Sequence, residues 1–366
     1  MNSEDLFYNL ALQHVTNLGD TTAKKLLGKF KSAENIFKEK KANLLKIDGI
    51  GKIRIQELYD SKHLKAAEAE LKFIDQNNIQ THYFQDENYP EKLKHCLDGP
   101  ILIFSKGKID LQKKKIISVV GTRQITPQGI SFCKSFIEDI AALDPVIISG
   151  FAYGVDITAH KAAVKNGLQT VGCLAHGLNQ IYPKSHKKYM KEIEENGGFF
   201  TDYWSTDKFE RNNFLKRNRI IAGLSEATIV IESAEKGGAL VTADIANSYD
   251  REVFAVPGRP SDKYSTGCNN LIKAQSAHVL TSAADLAYIL NWDVETERKP
   301  IQKQLFIELE LEEQKLYEFL QTQGKSELDT LALNCNFPTF KAATLLLNME
   351  LKGAIRPLPG KLFEVI

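Results

Sequence analysis

The sequence lacks long apolar runs and a net charge of either sign. No apolar stretch reaches the roughly 18–20 residues of a membrane span, and the opening MNSEDLFYNL lacks the basic start and apolar core of a secretory signal. We therefore expect no membrane association. The 47 lysines and arginines balance 46 aspartates and glutamates. Bulk charge is thus excluded as a binding principle, and any surface for a polyanion has to be a local patch.

Cysteine is scarce, and the cysteines lie too far apart in the sequence to form a CxxC pair. An odd, dispersed set in a chain of this length is typical of reduced, buried thiols and predicts a cytoplasmic protein. Zinc ligands usually come in close pairs, so no metal is expected. The five residues are Cys96, Cys133, Cys173, Cys268 and Cys335.

Signatures of common catalytic and cofactor sites are absent as well. No GxGxxG follows the first predicted parallel strand and no GxxxxGK(S/T) loop occurs, which disfavours a redox dinucleotide and a P-loop triphosphate. There is no GxSxG elbow, HExxH or paired carboxylate. Asp156 and His160 share a face at a predicted helix start, but a helix cap and a loop hydrogen bond explain them better than acid–base catalysis. We therefore expect no enzymatic activity and no cofactor.

The chain divides into three parts and a linker. Residues 1–78 are predicted to be helical, because they show no strand pattern. Residues 79–290 alternate short apolar runs with helical patterns, and residues 291–310 are charged and form the predicted linker. Residues 311–366 form a third, smaller part.

The central part predicts an α/β fold. Its apolar runs are rich in β-branched residues, and continuous apolar strands between helices are typical of a parallel sheet covered on both faces. We therefore predict a Rossmann-like, doubly wound, mainly parallel sheet. The predicted strands are Ile116–Val120, Val146–Ser149, Gln169–Leu174, Phe199–Asp202, Ala227–Ile231, Val253–Val256 and His278–Leu280.

The N-terminal part contains two similar pieces, at residues 17–30 and 46–59. The second includes Ile47-Asp48-Gly49-Ile50-Gly51, which resembles the turn of a helix-hairpin-helix or SAM-like domain. A glycine turn of this kind lets backbone N–H groups approach a phosphate. A helical bundle whose hairpins only need glycine is the alternative.

The C-terminal part predicts a winged-helix domain. Helices are expected over Leu311–Leu320, Glu327–Leu333 and Thr339–Leu351, followed by a two-stranded wing. In a DNA reader the third helix contacts bases. Residues 300–366, however, contain seven lysines and arginines against nine aspartates and glutamates. This balance favours a protein-contact or packing role over duplex DNA reading.

Small and cationic residues follow the ends of five predicted strands. Ligands bind at the carboxyl ends of the strands in an open parallel sheet, where glycine lets them approach the backbone and helix N-termini present free N–H groups. Tight turns need glycine anyway, but five such ends on one edge predict an anion site. The residues are Gly121, Thr122 and Arg123; Ser149, Gly150 and Gly154; Tyr182 and Lys184; Lys236, Gly237 and Gly238; and Gly258 and Arg259.

A basic stretch at residues 208–219 predicts further phosphate contacts. Arg217 and Arg219 flank Asn218 near a predicted helix start, where two guanidiniums can bind successive phosphates. Pairing of one arginine with a carboxylate such as Asp202 or Asp207 is the alternative.

A second basic stretch, Lys184 to Lys191, has Tyr182 and Tyr189 interleaved with its lysines. Cations and aromatic rings together are the ingredients of a single-strand site, in which phosphates pair and bases stack. A solvated helix face is the alternative for Lys187 and Lys191.

Taken in order, these motifs resemble the DNA-processing protein A family, also called DprA or Smf. The flanking parts fit as well, because many members have an N-terminal helical domain and a C-terminal winged-helix domain. The matching stretches are GTR (121–123), SGFAYGVDITAH (149–160), GLNQIYPKSH (177–186), FLKRNRIIAGLS (214–225), KGGALVTADIA (236–246), VFAVPG (253–258) and GCNNLI (267–272).

The resemblance implies a single-stranded DNA-binding protein of natural transformation. Similar proteins bind incoming strands, protect them from nucleases, help to load the recombinase RecA and typically form homodimers through the Rossmann-like domain. Arg123 and Lys184 are then the first candidate cations. The chain departs from the pattern at Ala175-His176, where we expect glycine, so His176 is assigned no role.

The resemblance also distributes roles among the other strand-end residues. A backbone cradle is expected from Gly121, Thr122, Ser149, Gly150 and Gly154. The rim of the DNA site is expected to include Arg217, Asn218, Arg219, Lys236, Gly237 and Gly238.

The alternative function is that of an enzyme on a similar sheet. Nucleoside-monophosphate phosphoribohydrolases of the lysine-decarboxylase-like type also have a Gly-Gly turn before a helix, with a threonine and a catalytic glutamate close behind. Here the threonine is displaced to Thr242 and the acid is Asp244. This departure weighs against hydrolysis.

Overall fold

The computed structural model describes residues 1–47, 51–112, 114–292, 309–358 and 362–365. The described residues before 293 form one compact unit, and those after 308 form a second. The predicted helix-hairpin-helix turn at residues 47–51 and the predicted linker at 291–310 thus fall largely outside the described residues.

A nine-stranded sheet forms the centre of the first unit. Its strands are β1 (Gln80–Tyr83), β2 (Leu102–Gly107), β3 (Ile116–Val120), β4 (Val146–Ser149), β5 (Thr170–Cys173), β6 (Gly197–Thr201), β7 (Ala227–Val230), β8 (Glu252–Ala255) and β9 (His278–Val279). The order is β1-β2-β6-β5-β4-β3-β7-β8-β9. The strands from β6 to β9 in this order are parallel, whereas β1 and β2 extend the β6 edge in antiparallel fashion. The predicted Rossmann-like, mainly parallel sheet is confirmed.

Helices cover both faces of this sheet. Along β3, Ile116 and Val120 pack against one group of helices, while Ile117 and Val119 pack against the other, as the alternation of side chains along a strand requires. The helices of the first unit are α1 (Ser3–His14), α2 (Asp20–Phe30), α3 (Ala33–Lys38), α4 (Lys41–Leu44), α5 (Lys52–Leu58), α6 (Lys62–Gln76), α7 (Glu91–Lys94), α8 (Pro127–Asp139), α9 (Val155–Lys165), α10 (Lys187–Glu195), α11 (Arg211–Leu224), α12 (Gly238–Ser248), α13 (Thr266–Lys273) and α14 (Ala283–Ile289). Short 3₁₀ helices span Ala141–Leu143 and Lys184–His186.

The N-terminal helices α1 to α6 share an apolar core with the antiparallel edge of the sheet. This core includes Leu102 of β2 and Trp204 beyond β6. The indole N–H of Trp204 donates to Gln13 Oε1 at 2.9 Å. The backbone N–H of Ser205 donates to the buried carboxylate of Glu70, also at 2.9 Å. The helices and the sheet are therefore one packed unit.

The second unit has the predicted winged-helix architecture. Leu316, Leu346 and Met349 lie in its apolar core. Its elements are α15 (Leu311–Gln323), β10 (Ser326–Glu327), α16 (Leu328–Asn334), α17 (Thr339–Leu351), β11 (Ile355–Leu358) and β12 (Leu362–Val365). The three strands form one antiparallel sheet in the order β10-β12-β11.

All five cysteines are free thiols, and all but Cys335 are buried. Within the described ranges, no helix is both long and apolar enough to cross a membrane.

Candidate nucleic-acid interface

Strand β3 marks the point where the chain changes direction across the sheet. From β3 the chain moves outward through β4, β5 and β6, and then returns to β7 on the other side of β3. The loops after β3 and β7 therefore leave in opposite directions and open a crevice at the carboxyl ends of the strands. A cavity of about 700 Å³ lies in this crevice.

The cavity brings together nine of the sixteen residues that the sequence predicts to form the anion site. They are Gly121, Thr122, Arg123, Tyr182, Arg217, Asn218, Lys236, Gly237 and Gly238. The others do not line it: Ser149, Gly150, Gly154, Lys184, Arg219, Gly258 and Arg259. Gly258 and Arg259 line a separate cavity instead.

The cavity wall has an excess of positive charge. Arg123, Arg211 and Lys236 are exposed, and none of them forms an ion pair with any residue that the structure describes. Arg217 is the fourth cation and is only 4% exposed. The one acidic side chain in the wall is Asp156. Such a concentration of one sign in a cleft attracts an anionic ligand, although the chain as a whole is almost neutral.

Three aromatic rings form a cluster at the mouth of the cavity. The ring centroid of Tyr182 lies 4.7 Å from that of Phe209 and 5.6 Å from that of Phe214. Tyr182 is 38% exposed and Phe209 43%, so part of the aromatic surface is accessible. The Arg123 guanidinium lies over the Phe214 ring at 5.1 Å. A cation beside accessible rings can hold a phosphate while an unpaired base stacks.

Helix α11 separates the two arginines that the sequence predicted to act together. Arg217 and Arg219 lie in the middle of α11, not at its start, and residues two apart on a helix lie about 200° apart around its axis. Arg217 faces the cavity. Arg219 instead pairs with Asp202 at 2.5 Å and with Asp20 at 3.1 Å.

The prediction that Arg219 binds phosphate is therefore wrong in this structure. Its side chain is 16% exposed, and its guanidinium also donates to the backbone carbonyl of Asp98. Burial opposes the charge, but Asp202 and Asp20 outweigh it and raise the pKa of Arg219. The Arg219 guanidinium is thus held by two carboxylates and a carbonyl, away from the cavity.

Three of the predicted cradle residues support the cavity from behind. Ser149 is fully buried, and its hydroxyl donates to the backbone carbonyl of Val119 at 2.6 Å. A Cβ on Gly150 would meet Asp156 Oδ2 at 2.3 Å. Gly154 has a φ of +79°, and a Cβ there would lie 2.1 Å from the carbonyl oxygen of Thr122. Gly150 and Gly154 permit close packing of the loops and do not line the cavity, so their predicted part in a backbone cradle for DNA stays a prediction.

Glycine has a different role at the start of α12. The helix begins at Gly238, and no side chain caps its first N–H groups. A Cβ on Gly238 would meet no atom closer than 3.9 Å, so packing does not require glycine here. Both Gly237 and Gly238 line the cavity. The uncapped N–H groups and the partial positive charge of the helix end therefore lie at the cavity wall.

Lys184 does not line the cavity, although it lies close in sequence to a residue that does. It begins the short 3₁₀ helix, two residues after the cavity-lining Tyr182, and its side chain is exposed. Its predicted contact with DNA stays a prediction. Tyr189 already has Lys161 and Lys188 over its ring, at 5.5 and 5.0 Å.

The residues considered for catalysis have structural partners. Ring nitrogens of His160 lie 2.6 Å from the Gly150 carbonyl oxygen and 2.7 Å from the Thr170 hydroxyl, and burial lowers the pKa of the imidazole. Asp156 accepts a hydrogen bond from the backbone N–H of Ala152 at 3.1 Å. Asp244, the acid of the hydrolase alternative, is exposed and is not part of the cavity wall.

No individual role was predicted for Phe209, Arg211, Phe214 and Leu215, which line the cavity and fall within the basic stretch at residues 208–219. A signal for three of them exists in the spacing: residues 211, 214, 215 and 218 recur at helical intervals and share one face of α11. Phe209 precedes the helix, and no pattern in the sequence marks it.

A cationic, aromatic cavity at the switch point of an open parallel sheet is the usual place for a phosphate-bearing ligand. Comparison with known families shows which class of phosphate-binding protein this chain resembles. The family described as DNA recombination-mediator protein A matches residues 80–291, and the DprA winged helix domain matches residues 303–361. The chain belongs to the DNA recombination-mediator protein A family, which confirms the resemblance seen in its motifs.

Individual relatives show the same similarity. Protein Smf of Escherichia coli (strain K12) is 32% identical over 307 residues, which cover 81% of this chain and 80% of that protein. The DNA processing protein DprA of Streptococcus pneumoniae (strain ATCC BAA-255 / R6) is 37% identical over 201 residues, 55% of this chain and 71% of that protein.

Two solved structures are also similar. DNA processing protein A from Streptococcus pneumoniae superimposes with a TM-score of 0.65 at 31% identity and covers 77% of this chain and 95% of that one. DNA processing protein A from Helicobacter pylori, a structure described as showing its single-stranded DNA binding mode, has a TM-score of 0.52 at 27% identity. That similarity covers 58% of this chain and 95% of the other.

Proposed function

We propose that the strand-end cavity binds single-stranded DNA without sequence preference and that the protein mediates recombination without catalysing a reaction. The observation that carries this proposal is the convergence of four cations, three aromatic rings and an uncapped helix N-terminus on one cavity. The single-stranded DNA binding described for the Helicobacter pylori relative supports it.

The aromatic cluster favours a single strand over a duplex. In a duplex the base faces are already stacked, whereas an unpaired base presents a free face to a ring. Tyr182 and Phe209 expose part of their surface beside the Arg123 guanidinium. Stacking on rings is tolerant of sequence, because every base has such a face.

Family membership supports a proposal for the wider role of the protein. We propose that the protein protects incoming DNA during natural transformation, helps to load RecA and acts in the cytoplasm as a homodimer formed through the Rossmann-like domain. The near-neutral charge of the chain suits this role, because it leaves attraction to nucleic acid to local basic surfaces such as the cavity.

The experiment is a titration of 3′-labelled oligo(dT) with the full chain at several salt concentrations. Binding is measured by fluorescence anisotropy. Arg123→Ala is expected to weaken binding by about 1–3 kcal/mol, the loss of a charge-assisted contact. It is also expected to lower the slope of log K against log salt by about 0.7, the value for one phosphate on a single strand.

Arg259→Ala is the matched control. Arg259 is exposed at the same edge of the sheet but lies outside the cavity, so the same change of charge is expected to leave affinity nearly unaltered. If both variants bind oligo(dT) like the parent, or if duplex DNA of equal length binds as tightly, the assignment of this cavity is refuted.

A further inference from the structure

The inner end of the cavity is formed by polar side chains that are more than nine-tenths buried. Arg217, Asn218, Thr242 and Asp156 are 4%, 6%, 2% and 8% exposed, respectively. A ligand group that reaches them leaves bulk water. The chemistry of this end therefore decides which part of a DNA strand enters it.

The positive charge and the N–H donors of Arg217 are only partly balanced by partners in the structure. One terminal nitrogen of its guanidinium donates to the backbone carbonyl of Cys173. Its buried Nε has no hydrogen-bond partner among the described residues, and no described carboxylate forms an ion pair with it. Burial lowers the pKa of the side chain, because the charged form has lost water. A buried cation of this kind is stabilised when an anion joins it.

The N-terminus of α12 supplies a second positive feature at the same end. Asn218, next to Arg217 in sequence, donates to the backbone carbonyl of Gly238 at 3.2 Å, which ties the helix start to the arginine. The first N–H groups of α12 have no side-chain cap. Helix N-termini of this type bind phosphate groups.

We infer that the inner end binds a phosphate monoester, the terminal phosphate of a DNA strand. The inference rests on the proposed function and adds which part of the strand the buried end selects. A monoester carries a charge of about −1.5 to −2 at pH 7, whereas an internal diester carries only one negative charge. The partly desolvated guanidinium and helix end favour the more highly charged group.

Geometry favours a terminus as well. A strand that continues beyond a phosphate at Arg217 has to turn and leave past the same rim, whereas a chain end only has to enter. Arg123, Lys236 and the aromatic cluster line the outer part, where they contact the nucleotides that follow the terminal phosphate.

Asp156 opposes this binding. Its carboxylate lines the same cavity and, like the Arg217 guanidinium, lies beside Gly150. It partly offsets the positive charge without forming a contact ion pair. Asp156→Asn keeps an oxygen for the Ala152 N–H and removes the charge. It is therefore expected to strengthen the binding of a terminal phosphate.

The test compares chain ends on otherwise identical oligo(dT) with the unaltered full chain at one salt concentration. One pair carries a 3′ label and either a 5′-phosphate or a 5′-hydroxyl; the other carries a 5′ label and either a 3′-phosphate or a 3′-hydroxyl. At least one phosphorylated strand is expected to bind about tenfold more tightly, a difference of 1.4 kcal/mol. Thymidine monophosphate is expected to compete, thymidine not to compete, and inorganic phosphate to compete weakly.

Two glycine variants distinguish an effect at the inner end of the cavity from a general effect on the fold. Gly238→Ala adds a methyl group at the open start of α12, where the nearest packed atom, Asn218 Nδ2, lies at an ordinary contact distance of 3.9 Å. It is expected to abolish the preference for a terminal phosphate while the protein stays folded. Gly28→Ala makes the same change in α2, also in open space, and is expected to preserve it.

The two possible failures are distinguishable. Equal affinity for phosphorylated and hydroxyl ends in both pairs, with a circular single strand competing as well as the linear one, overturns the terminal-phosphate inference and leaves single-strand binding intact. If no oligonucleotide binds, the proposed function itself fails.

Discussion

Replacement of Arg219 by alanine is expected to destabilise the protein without removing a DNA contact. The guanidinium joins Asp20 of α2 and Asp202, which follows β6, and all three side chains are largely buried. Removal of one partner of a buried pair leaves an uncompensated charge and costs about 3–5 kcal/mol. At about 2 °C per kcal/mol, the value for a unit as large as this one, the melting temperature should fall by about 6–10 °C.

Tryptophan fluorescence isolates this effect, because Trp204 and Trp292 are the only two tryptophans and both lie in the first unit. Arg219→Ala combined with Asp202→Asn should recover part of the lost stability, since it removes one of the stranded carboxylates. Below the melting temperature, the oligo(dT) affinity and salt slope should match those of the parent. A variant with an unchanged melting temperature and an affinity as low as that of Arg123→Ala would refute the buried-pair assignment.

Three further predictions concern the aromatic cluster, an imidazole pair and a glycine. Phe214→Leu should weaken oligo(dT) binding by up to about 1–3 kcal/mol through loss of stacking, measured by anisotropy, with melting unchanged. Burial lowers the pKa of His14 and of His63, whose Nδ1 atoms lie 2.8 Å apart. Below pH 6.5 the unfolded chain therefore binds more protons than the folded chain, and the free energy of unfolding should decrease as the pH is lowered. Urea titrations at several pH values should show a smaller decrease in the free energy of unfolding for His14→Gln than for the parent. Gly154→Ala should reduce stability by more than about 1 kcal/mol, because φ is +79° and the Thr122 carbonyl lies 2.1 Å from the added Cβ; an unaltered urea midpoint would contradict this.

The parallel sheet could be predicted from the sequence because burial on both faces leaves a direct trace. The runs at Ile116–Val120 and Val146–Ser149 coincide with β3 and β4. The antiparallel strands β1 and β2 were missed. The residues of β1, Gln-Thr-His-Tyr, lie at the edge of the sheet and are only partly buried, so they show no continuous apolar pattern.

Glycine at a strand end is ambiguous in a sequence, and the structure resolves the ambiguity by what surrounds each one. Gly150 and Gly154 are packed against neighbouring atoms, whereas the space beside Gly238 opens into the cavity. Sequence spacing gives the positions of such turns, but it does not give the direction in which the missing side chain would have pointed. That direction depends on contacts between loops distant in sequence.

The assignment of Arg217 and Arg219 depended on where α11 begins. Without a side-chain cap at Glu210, the sequence gives no clear start, and a helix placed a few residues later puts both arginines at its N-terminus. In the structure they lie on opposite faces of one continuous helix: Arg217 faces the cavity, and Arg219 binds Asp20 at the start of α2. Helix α11 therefore links the N-terminal helices to the strand-end cavity. The ion pair between Arg219 and Asp20 fixes the contact between α11 and α2 on the face of α11 opposite Arg217, which is why its loss is expected to change stability and not DNA affinity.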